Sequence, residues 1–271
     1  MQPPSEAAEQ PAAPPSLSIA ITAYDEATRL PPSLERAFTY LEAWGEPYEI
    51  VVNDDGSHDT TPDIVREFIR RFPGRIRLLQ AAKNEGKGAG IRRAVLASRG
   101  RAILFSDADF STPIEEVERL RTALKDGYDV AIGSRLQPDG SDMRANSQPL
   151  YRRLFGKFFH QLADPLIVRG IGDTQSGFKL FRGQVAHDLF QDTYLTSIIF
   201  DVEVLYLAQR RGYRVIEVPV RWTNAGGSRM RVTAKHAARV FWDLVRIPWM
   251  HRHDGALRPQ PSAVSAGPDP I

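Results

Sequence analysis

Two acidic residues separated by one small residue give this sequence its clearest chemical signal. Asp107 and Asp109 flank Ala108 at the end of the apolar run at residues 102–105. Side chains two positions apart in an extended segment point to the same side, so both carboxylates can reach one cation. Carboxylate and phosphate oxygens are the hard ligands that Mg²⁺ and Mn²⁺ prefer. The pair therefore predicts a divalent-metal site in an enzyme that handles phosphate groups.

Clusters of acidic, basic and glycine residues also follow other apolar runs. They are TAYDE (22–26), NDDGSHDTT (53–61), KNEGKGAG (83–90) and GSR (133–135). The apolar runs alternate with segments of helical periodicity, which is typical of parallel strands joined by helical crossovers. Ligands of such a sheet bind beyond the carboxyl ends of its strands. We therefore predict an α/β fold with a mostly parallel central sheet, flanked by helices, in which these motifs share one rim.

The residue types on this rim suit a nucleoside diphosphate. Asp54 and Asp55 can accept hydrogen bonds from a base or a ribose, and Gly56 lets a ligand approach the backbone closely. Lys87 and Arg135 can neutralise phosphate, the latter with a fork that binds two oxygens at once. Taken singly, each motif is equally compatible with an ordinary turn, loop or helix cap. The prediction depends on their joint placement at consecutive strand ends.

Composition excludes several other classes of protein. With 42% hydrophobic and 25% charged residues over 271 positions, the chain has the makeup of a globular protein. It has no cysteine, which rules out disulfides, thiolate metal sites and a thiol nucleophile. A net charge of +2 is too balanced for a dedicated nucleic-acid binder. No apolar stretch approaches the roughly 18 residues of a membrane span, and a signal peptide is not expected.

The ends of the chain differ in composition from its middle. Residues 1–16 and 253–271 are rich in Pro, Ala and Ser, and we predict disordered tails on either side of a single domain over residues 17–252. Inside that domain, Thr112, Pro113 and Glu115 form the pattern of a capping box, with proline at the first helical position. The pattern predicts a helix that starts directly after the acidic pair.

The order of the motifs resembles the inverting glycosyltransferases of family 2, which have the GT-A fold. Further motifs that carry the resemblance are DTQSGFKLF (173–181), FDVE (200–203), EVPVRW (217–222) and GGSR (226–229). The first three of these point to the polyprenyl-phosphate branch, and above all to dolichyl-phosphate β-glucosyltransferases, with dolichyl-phosphate mannose synthases as relatives. The resemblance covers nearly the whole folded region. It implies a GT-A domain with amphipathic helices towards its C-terminus.

The site residues are predicted from the residue types on the rim and from what the resemblance to family 2 glycosyltransferases implies. The predicted nucleotide-sugar contacts are Thr22, Tyr24, Glu26, Asn53, Asp54, Asp55, Lys87, Ala108 and Asp109. The predicted metal ligands are Asp107 and Asp109, and Arg135 and Arg229 are expected to contact phosphate or the acceptor. Thr22, Asn53 and Arg229 stand where relatives usually have proline, an apolar residue and lysine. The first two departures can alter the pocket, while the third keeps the charge.

Asp201 and Glu203 are further catalytic candidates. They can orient an acceptor or a sugar hydroxyl, but an acidic helix start, which the helix dipole favours, explains them equally well. The segment GKGAG opens a helix after a strand, as in a nicotinamide oxidoreductase, but its glycines do not follow GxGxxG and its unit is not the first in the chain, which argues against that class. It is also not a P-loop, which needs Ser or Thr after the lysine.

The reaction implied by the resemblance is inverting transfer of a hexose to a polyprenyl or dolichyl phosphate, with Mg²⁺ or Mn²⁺ as cofactor. UDP-glucose is the first choice of donor, and GDP-mannose is the alternative. A soluble acceptor, or a noncatalytic membrane-associated nucleotide-binding protein, also remains open. Because the second pKa of a phosphate monoester is about 6, the acceptor is already largely dianionic and needs no strong general base.

A lipid acceptor requires a surface that faces a membrane, and two segments can supply it. Residues 151–168 place Leu154, Phe155, Phe158, Phe159 and Leu162 beside Arg152, Arg153 and Lys157. Residues 234–253 place Val240, Phe241, Leu244 and Trp249 beside Lys235, Arg239 and Arg246. Aromatic and basic residues together suit an anionic bilayer interface, although packing on the sheet explains either helix alone. We expect a cytoplasmic protein bound peripherally to the cytoplasmic face of a membrane.

Overall fold

The fold is seen in a computed structural model that describes residues 13–143, 167–224 and 234–253, with side chains from residue 238 onward in the last range. Most of both predicted tails, residues 144–150, residues 151–166 of the first amphipathic segment, Arg229 and the Lys235 side chain lie outside this description. The strands are β1 (Leu17–Ala23), β2 (Tyr48–Asp54), β3 (Ile76–Gln80), β4 (Ala102–Asp107), β5 (Val130–Ser134), β6 (Phe178–Arg182) and β7 (Val215–Pro219). The helices are α1 (Leu30–Trp44), α2 (Thr61–Arg71), α3 (Lys87–Ala97), α4 (Val117–Lys125), α5 (Gly183–Phe190), α6 (Phe200–Arg210) and α7 (Ala234–Met250).

These strands form one sheet in the order β3-β2-β1-β4-β6-β5-β7. All neighbouring pairs are parallel except those of β6, which runs antiparallel between β4 and β5. The prediction of a mostly parallel sheet flanked by helices is confirmed. β6 begins inside the motif DTQSGFKLF (173–181) and ends one residue after it. Nothing in its sequence showed that it enters the sheet beside β4.

The central strands are apolar along their length because helices cover both faces of the sheet. One core packs α1, α2 and α4 against the first face, and a second core packs α3, α5, α6 and α7 against the other. β2 is buried at every position, including its polar residues Glu49, Asn53 and Asp54. Because they are buried, those polar residues need partners inside the protein.

Two local predictions are corrected. The predicted capping box is absent: residues Ile114–Glu116 form a 3₁₀ turn ahead of α4, and no side chain caps its start. Glu115 reaches instead to Arg36 of α1, whose Nε lies 3.1 Å from Glu115 Oε1. At the N-terminus, Ser16, which the sequence placed in the tail, is buried and donates its backbone N–H to Pro47 O over 2.8 Å. Both differences arise from contacts with residues distant in the chain.

Helix α7 is amphipathic, with one face in the core and one in solvent. Val240, Leu244 and Ile247 are buried. The opposite face exposes Phe241, Trp242, Val245 and Trp249, at helical spacing. Among the described residues, the helices are too short or too polar to cross a bilayer.

The buried carboxylate of Glu49 joins three separate elements. Its Oε1 accepts hydrogen bonds from Ser18 Oγ of β1 (2.7 Å) and from the backbone N–H of Arg99 (2.6 Å). Its Oε2 accepts one from Arg77 Nη2 of β3 (2.9 Å). Burial acts to raise the pKa of Glu49, but these donors outweigh it and hold the pKa below its usual value. The ionised form is therefore more stable in the folded than in the unfolded chain.

Substitution Glu49→Gln is expected to lower the free energy of unfolding at pH 7 by about 1–3 kcal/mol, because charge-assisted hydrogen bonds to a buried group are lost. Since the folded-state pKa is depressed, this stabilisation is present above the unfolded-state pKa and disappears as pH falls through the folded-state value, below 4.5. Urea denaturation of both proteins at pH 7 and in acid checks this. A stability difference that stays constant into acid would contradict it.

Candidate active site

The polar motifs predicted to meet at one rim do meet there. In the sheet, Thr22 of β1 is paired with Asn53 of β2 on one side and with Asp107 of β4 on the other. The carboxyl ends of these three parallel strands are therefore level. The loops that follow them, together with the start of α3, surround one site.

The loop after β1 is held in place by the loop after β2. Backbone N–H groups of Asp25 and Glu26 donate to Ser57 Oγ and Thr61 Oγ1, each over 2.8 Å. Tyr24 Oη lies 3.3 Å from His58 Nδ1, with the two rings edge to face. The motif NDDGSHDTT thus holds the backbone that carries Tyr24 and Glu26, two of the predicted nucleotide contacts.

Asp54 and Asp55 are both buried at the end of β2. Asp54 Oδ1 accepts a long hydrogen bond from the backbone N–H of Ser57, at 3.3 Å. The Asp55 carboxylate accepts from the backbone N–H groups of Glu85 and Gly86, at 2.8 Å for the latter. Burial raises the pKa of Asp55, although these backbone donors oppose the shift. The main observed role of Asp55 is to attach the loop before α3 to the end of β2.

Asp107, at the end of β4, forms an ion pair with the first residue of α3. Lys87 Nζ lies 2.7 Å from Asp107 Oδ1, and the ammonium also faces the rings of Phe105 and Phe200. Burial lowers the pKa of Lys87, but the nearby carboxylates, led by Asp107 and Asp201, outweigh it and hold that pKa above its usual value. Lys87 is thus a fixed positive charge beside the acidic pair.

Asp109 is met by a second cation, from the loop after β1. Arg29 Nη1 lies 3.4 Å from Asp109 Oδ2, and Arg29 Nε donates to Glu26 Oε2 over 2.7 Å. Ala108, between the two acids, is buried, and Phe110 adopts a left-handed conformation with φ of 42°. Such strain in a bulky residue persists only where surrounding contacts enforce it, and it is concentrated at functional sites.

Arg135, at the end of β5, is bound by a single carboxylate. Its backbone N–H and Nε donate to Asp173 Oδ2 (2.9 and 2.8 Å), and its Nη2 donates to Asp173 Oδ1 (2.5 Å). Glu217 of β7 in turn accepts the backbone N–H groups of Gly172 and Asp173, both at 2.8 Å. Arg135 is therefore oriented by the motif DTQSGFKLF, and its Nη1 has no hydrogen-bond partner among the described residues.

Asp201 lies beneath the rim rather than on it. It is buried, and its Oδ1 accepts a hydrogen bond of 2.5 Å from the equally buried Lys179 of β6. Burial raises the pKa of Asp201 and lowers that of Lys179, and the ion pair only partly offsets both shifts. Asp201 also contributes to the field at Lys87. The pair connects the start of α6 to the strand next to Asp107.

The unusual residues Thr22 and Asn53 face helix α3. Gly90 of that helix lies so close that a Cβ there would meet Thr22 Oγ1 and Asn53 Nδ2. Asn53 Oδ1 accepts a hydrogen bond of 3.3 Å from Arg93 Nη1, whereas Nδ2 has no partner among the described residues. Both side chains thus support the packing of α3 just below the rim.

The structure does not bring Glu203 to the rim. Its side chain is completely buried in α6, and its two oxygens accept the backbone N–H groups of Tyr194 and Leu195, each over 2.9 Å. Its Oε1 also lies 2.8 Å from Nε2 of His251, which follows α7. This position is structural, so the catalytic assignment of Glu203 is replaced by one in which it joins α6, the preceding loop and the end of α7.

Three residues of the site were not predicted from the sequence. They are the basic residue Arg29 and the acidic residues Asp173 and Glu217. The spacing of Glu26 and Arg29 indicates a local ion pair, but nothing local shows that Arg29 also reaches Asp109, 80 positions away. Asp173 and Glu217 belong to motifs that the sequence singled out only as family features.

Glu203→Gln is expected to lower the free energy of unfolding by about 1–3 kcal/mol, because one buried backbone N–H would face an amide NH₂ instead of an acceptor. Activity per folded molecule should persist. Denaturant unfolding and steady-state rates at a temperature where the variant is folded check this. A large loss of turnover at unchanged stability would restore the catalytic assignment.

Comparison with known proteins agrees with this geometry. Residues 18–190 match the family described as Glycosyl transferase family 2. A dolichyl-phosphate beta-glucosyltransferase of Trichomonas vaginalis is 40% identical over 237 residues, which cover 84% of this chain and 69% of the relative.

Solved structures share the fold at much lower identity. Mannosyl-3-phosphoglycerate synthase of Rubrobacter xylanophilus has a TM-score of 0.64 and 16% identity, covering 93% of this chain and 79% of that one. Glucosyl-3-phosphoglycerate synthase of Mycobacterium tuberculosis, in complex with Mn²⁺, UDP-glucose and phosphoglyceric acid, has a TM-score of 0.62 and 15% identity, covering 86% and 79%. The likeness to these two proteins is one of fold.

Proposed function

Because the chain belongs to glycosyl transferase family 2 and is a glycosyltransferase of GT-A fold, we propose that it transfers glucose from UDP-glucose to a polyprenyl or dolichyl phosphate with inversion. The name of the relative from Trichomonas vaginalis supports both the sugar and the acceptor. The observation that carries the proposal is the acidic pair Asp107 and Asp109, placed at the end of β4 between the cations Lys87 and Arg29.

The nucleotide sugar binds, in this proposal, across the carboxyl ends of β1, β2 and β4. Tyr24 and Glu26 lie on the loop that the β2 motif holds in place, so they are positioned before a ligand arrives. Asp54 accepts only a long hydrogen bond of 3.3 Å within the described residues and retains capacity for a nucleoside donor. Asp55 acts by fixing the neighbouring loop.

The donor set fits Mg²⁺ or Mn²⁺. Within the described ranges, no group of three or more acidic or histidine side chains could hold an ion, but Asp107 and Asp109 supply two hard oxygen ligands. Magnesium-type sites commonly use one or two carboxylates and complete their shell with water and substrate phosphates. A divalent ion held by this pair would supply positive charge against the diphosphate of the donor. The Mn²⁺ complex of the structural neighbour supports this assignment.

In this proposal, basic side chains of the chain bind and neutralise the diphosphate leaving group. Lys87 and Arg29 each contact one carboxylate of the acidic pair, and in this proposal they neutralise the phosphates bound there. Arg135 is oriented by Asp173, which leaves its Nη1 for a phosphate oxygen or the acceptor. As the bond between the anomeric carbon and the diphosphate breaks, these fixed positive charges stabilise the growing negative charge without reorganisation.

The nucleophile needs little activation. A phosphate monoester has a second pKa of about 6 and is largely dianionic at neutral pH. One of its oxygens can attack the anomeric carbon from the side opposite the diphosphate, which inverts the configuration. Asp201, whose carboxylate is engaged by Lys179, serves in this proposal to orient the floor of the site.

Helix α7 is proposed to contact the membrane that holds the acceptor. Its exposed face carries Phe241, Trp242 and Trp249, whose rings suit the interfacial region of a bilayer. Arg239 and Arg246 are basic residues of the same helix that favour anionic lipid. We assign the protein to the cytoplasmic face, where anionic lipids are concentrated.

Incubation of the purified chain with labelled nucleotide sugars and farnesyl phosphate tests the activity. UDP-glucose with Mn²⁺ or Mg²⁺ is expected to give a glycosylated lipid phosphate, and excess chelator is expected to abolish it. GDP-mannose in a parallel reaction tests the alternative donor, and a soluble phosphate ester tests the alternative acceptor. Failure of every donor to label farnesyl phosphate would reject the proposal.

Asp109→Asn is expected to raise the Mn²⁺ concentration for half-maximal activity by at least about 10-fold, since a direct ligand matters no less than an outer-shell partner. The fold should survive, because Asp109 is partly exposed at the rim. Asp63→Asn, which removes an exposed carboxylate from α2, is the matched control and should leave the metal dependence unchanged. A metal titration of all three proteins decides the assignment, and identical curves would reject it.

A further inference from the structure

The chain leaves β7 along the rim of the sheet, where it passes from the end of β5 to the loop after β4. The backbone N–H of Val220 donates to Ser134 O over 3.0 Å, and the backbone N–H of Thr223 donates to Ser111 O over 2.8 Å. Ser134 is the last residue of β5, and Ser111 belongs to the loop that follows the acidic pair. Residues 220–223, which we call the bridging segment, therefore connect two parts of the site.

Contacts with the protein hold the bridging segment on both sides. On the side of β5, Gln137 Nε2 donates to Val220 O over 3.2 Å. On the side of α4, Arg221 Nε donates over 2.5 Å to Oε1 of Glu116, whose carboxylate is buried. The position of the segment is thus set by the folded chain itself, before any ligand binds.

Trp222, the third residue of this segment, places its ring beside Arg135. The guanidinium carbon Cζ of Arg135 lies 5.9 Å from the centre of the ring, and Trp222 is half-buried. A guanidinium within about 6 Å of a tryptophan face is attracted by the quadrupole of the ring. Asp173 separately binds Nε and Nη2 of the same arginine. The carboxylate and the ring are therefore two independent restraints on one side chain.

The charge of Arg135 acts on the acidic pair. Burial lowers the pKa of Arg135, but the nearby carboxylates, led by Asp173 and including Asp107, outweigh it and hold that pKa above its usual value. The two charges of Arg135 and Asp107 therefore interact across the rim. Because such an interaction depends on the distance between the charges, a displaced guanidinium changes the field at the end of β4.

The bridging segment also restrains the loop that carries Asp109. Ser111, which accepts the backbone N–H of Thr223, donates its own backbone N–H to Asp109 Oδ1 over 3.1 Å. Trp222 directly precedes Thr223 in the chain. One short piece of backbone thus contacts Arg135 through a ring and the acidic loop through a hydrogen bond.

We infer that Trp222 is a positioning residue for the transfer reaction, whose ring holds the guanidinium of Arg135 in a fixed place relative to Asp109. The inference rests on the proposed function, in which Arg135 faces a phosphate group of the substrates. Fixed charges stabilise a growing negative charge most when they are oriented beforehand. Loss of the ring therefore lowers kcat more than it raises the KM for UDP-glucose.

Trp222→Leu tests this role in the transfer of glucose to farnesyl phosphate. We expect kcat to fall about 3- to 30-fold, the range that corresponds to a cation–π contact, and Trp222→Phe, which keeps a ring, to recover part of the loss. Trp44→Leu is the matched control. It removes another half-buried ring, which lies 4.3 Å from the guanidinium of Arg121 at the opposite edge of the sheet, and it should leave kcat unchanged.

A double-mutant cycle with Arg135→Gln distinguishes positioning from general damage to the structure. If the ring acts through the guanidinium, Trp222→Leu should cost no further activity in the Arg135→Gln background. A structural defect would instead lower the rate by the same factor in both backgrounds. Single-turnover reactions with enzyme in excess measure the slow variants, and thermal unfolding checks that each is folded at the assay temperature. Trp222→Phe takes the place of the leucine variant in the cycle if the latter does not fold.

The outcomes separate this inference from the proposed function. An unchanged kcat in Trp222→Leu, an equal fall in Trp44→Leu, or the same fall in both Arg135 backgrounds would overturn the positioning role while the transfer activity stands. A wild-type chain that transfers no hexose would instead reject the proposed function, and this inference with it. A fall in kcat that phenylalanine partly restores, and that vanishes in the Arg135→Gln background, supports the role of Trp222.

Discussion

Two carboxylates at the end of β4 need positive charge around them, and the arrangement of the rim supplies it. Lys87 from the start of α3 contacts Asp107, and Arg29 from the loop after β1 contacts Asp109. Each contact fixes an element that also borders the proposed nucleotide site. The same cations that balance the acids are thereby placed where a diphosphate would lie, so one electrostatic constraint organises both the resting protein and the proposed reaction.

Beneath the rim, buried charged side chains form ion pairs that orient the residues above them. Lys179 and Asp201 neutralise each other in the core, and Asp173 holds Arg135 with three hydrogen bonds. Leaving either partner of such a pair alone would strand a buried charge, which is strongly destabilising. Because these pairs resist rearrangement, the side chains that face the ligand start from fixed positions.

The antiparallel strand β6 explains why the motif DTQSGFKLF accompanies the acidic pair. Gly177 lies directly against Asp107, whose backbone N–H donates to Gly177 O over 3.0 Å, and a Cβ there would collide with the carboxylate. Lys179 and Asp173 belong to the same motif. A stretch that the sequence identified only as a family feature is thus the structural support of the proposed metal ligands and of Arg135.

The sequence by itself determined the class of fold, the elements around the site and the acidic pair, because apolar periodicity and the Asp-Ala-Asp spacing are local properties of the chain. Only the tertiary structure decided the position of β6, the roles of Arg29 and Asp173, and the structural place of Glu203. Each of these depends on a partner far away in the chain. Which distant residues meet is determined by the order of strands in the sheet, and local patterns do not encode that order. Glu203 shows this most clearly: an acid at a helix start is compatible with catalysis or packing until its neighbours Tyr194 and His251 are known.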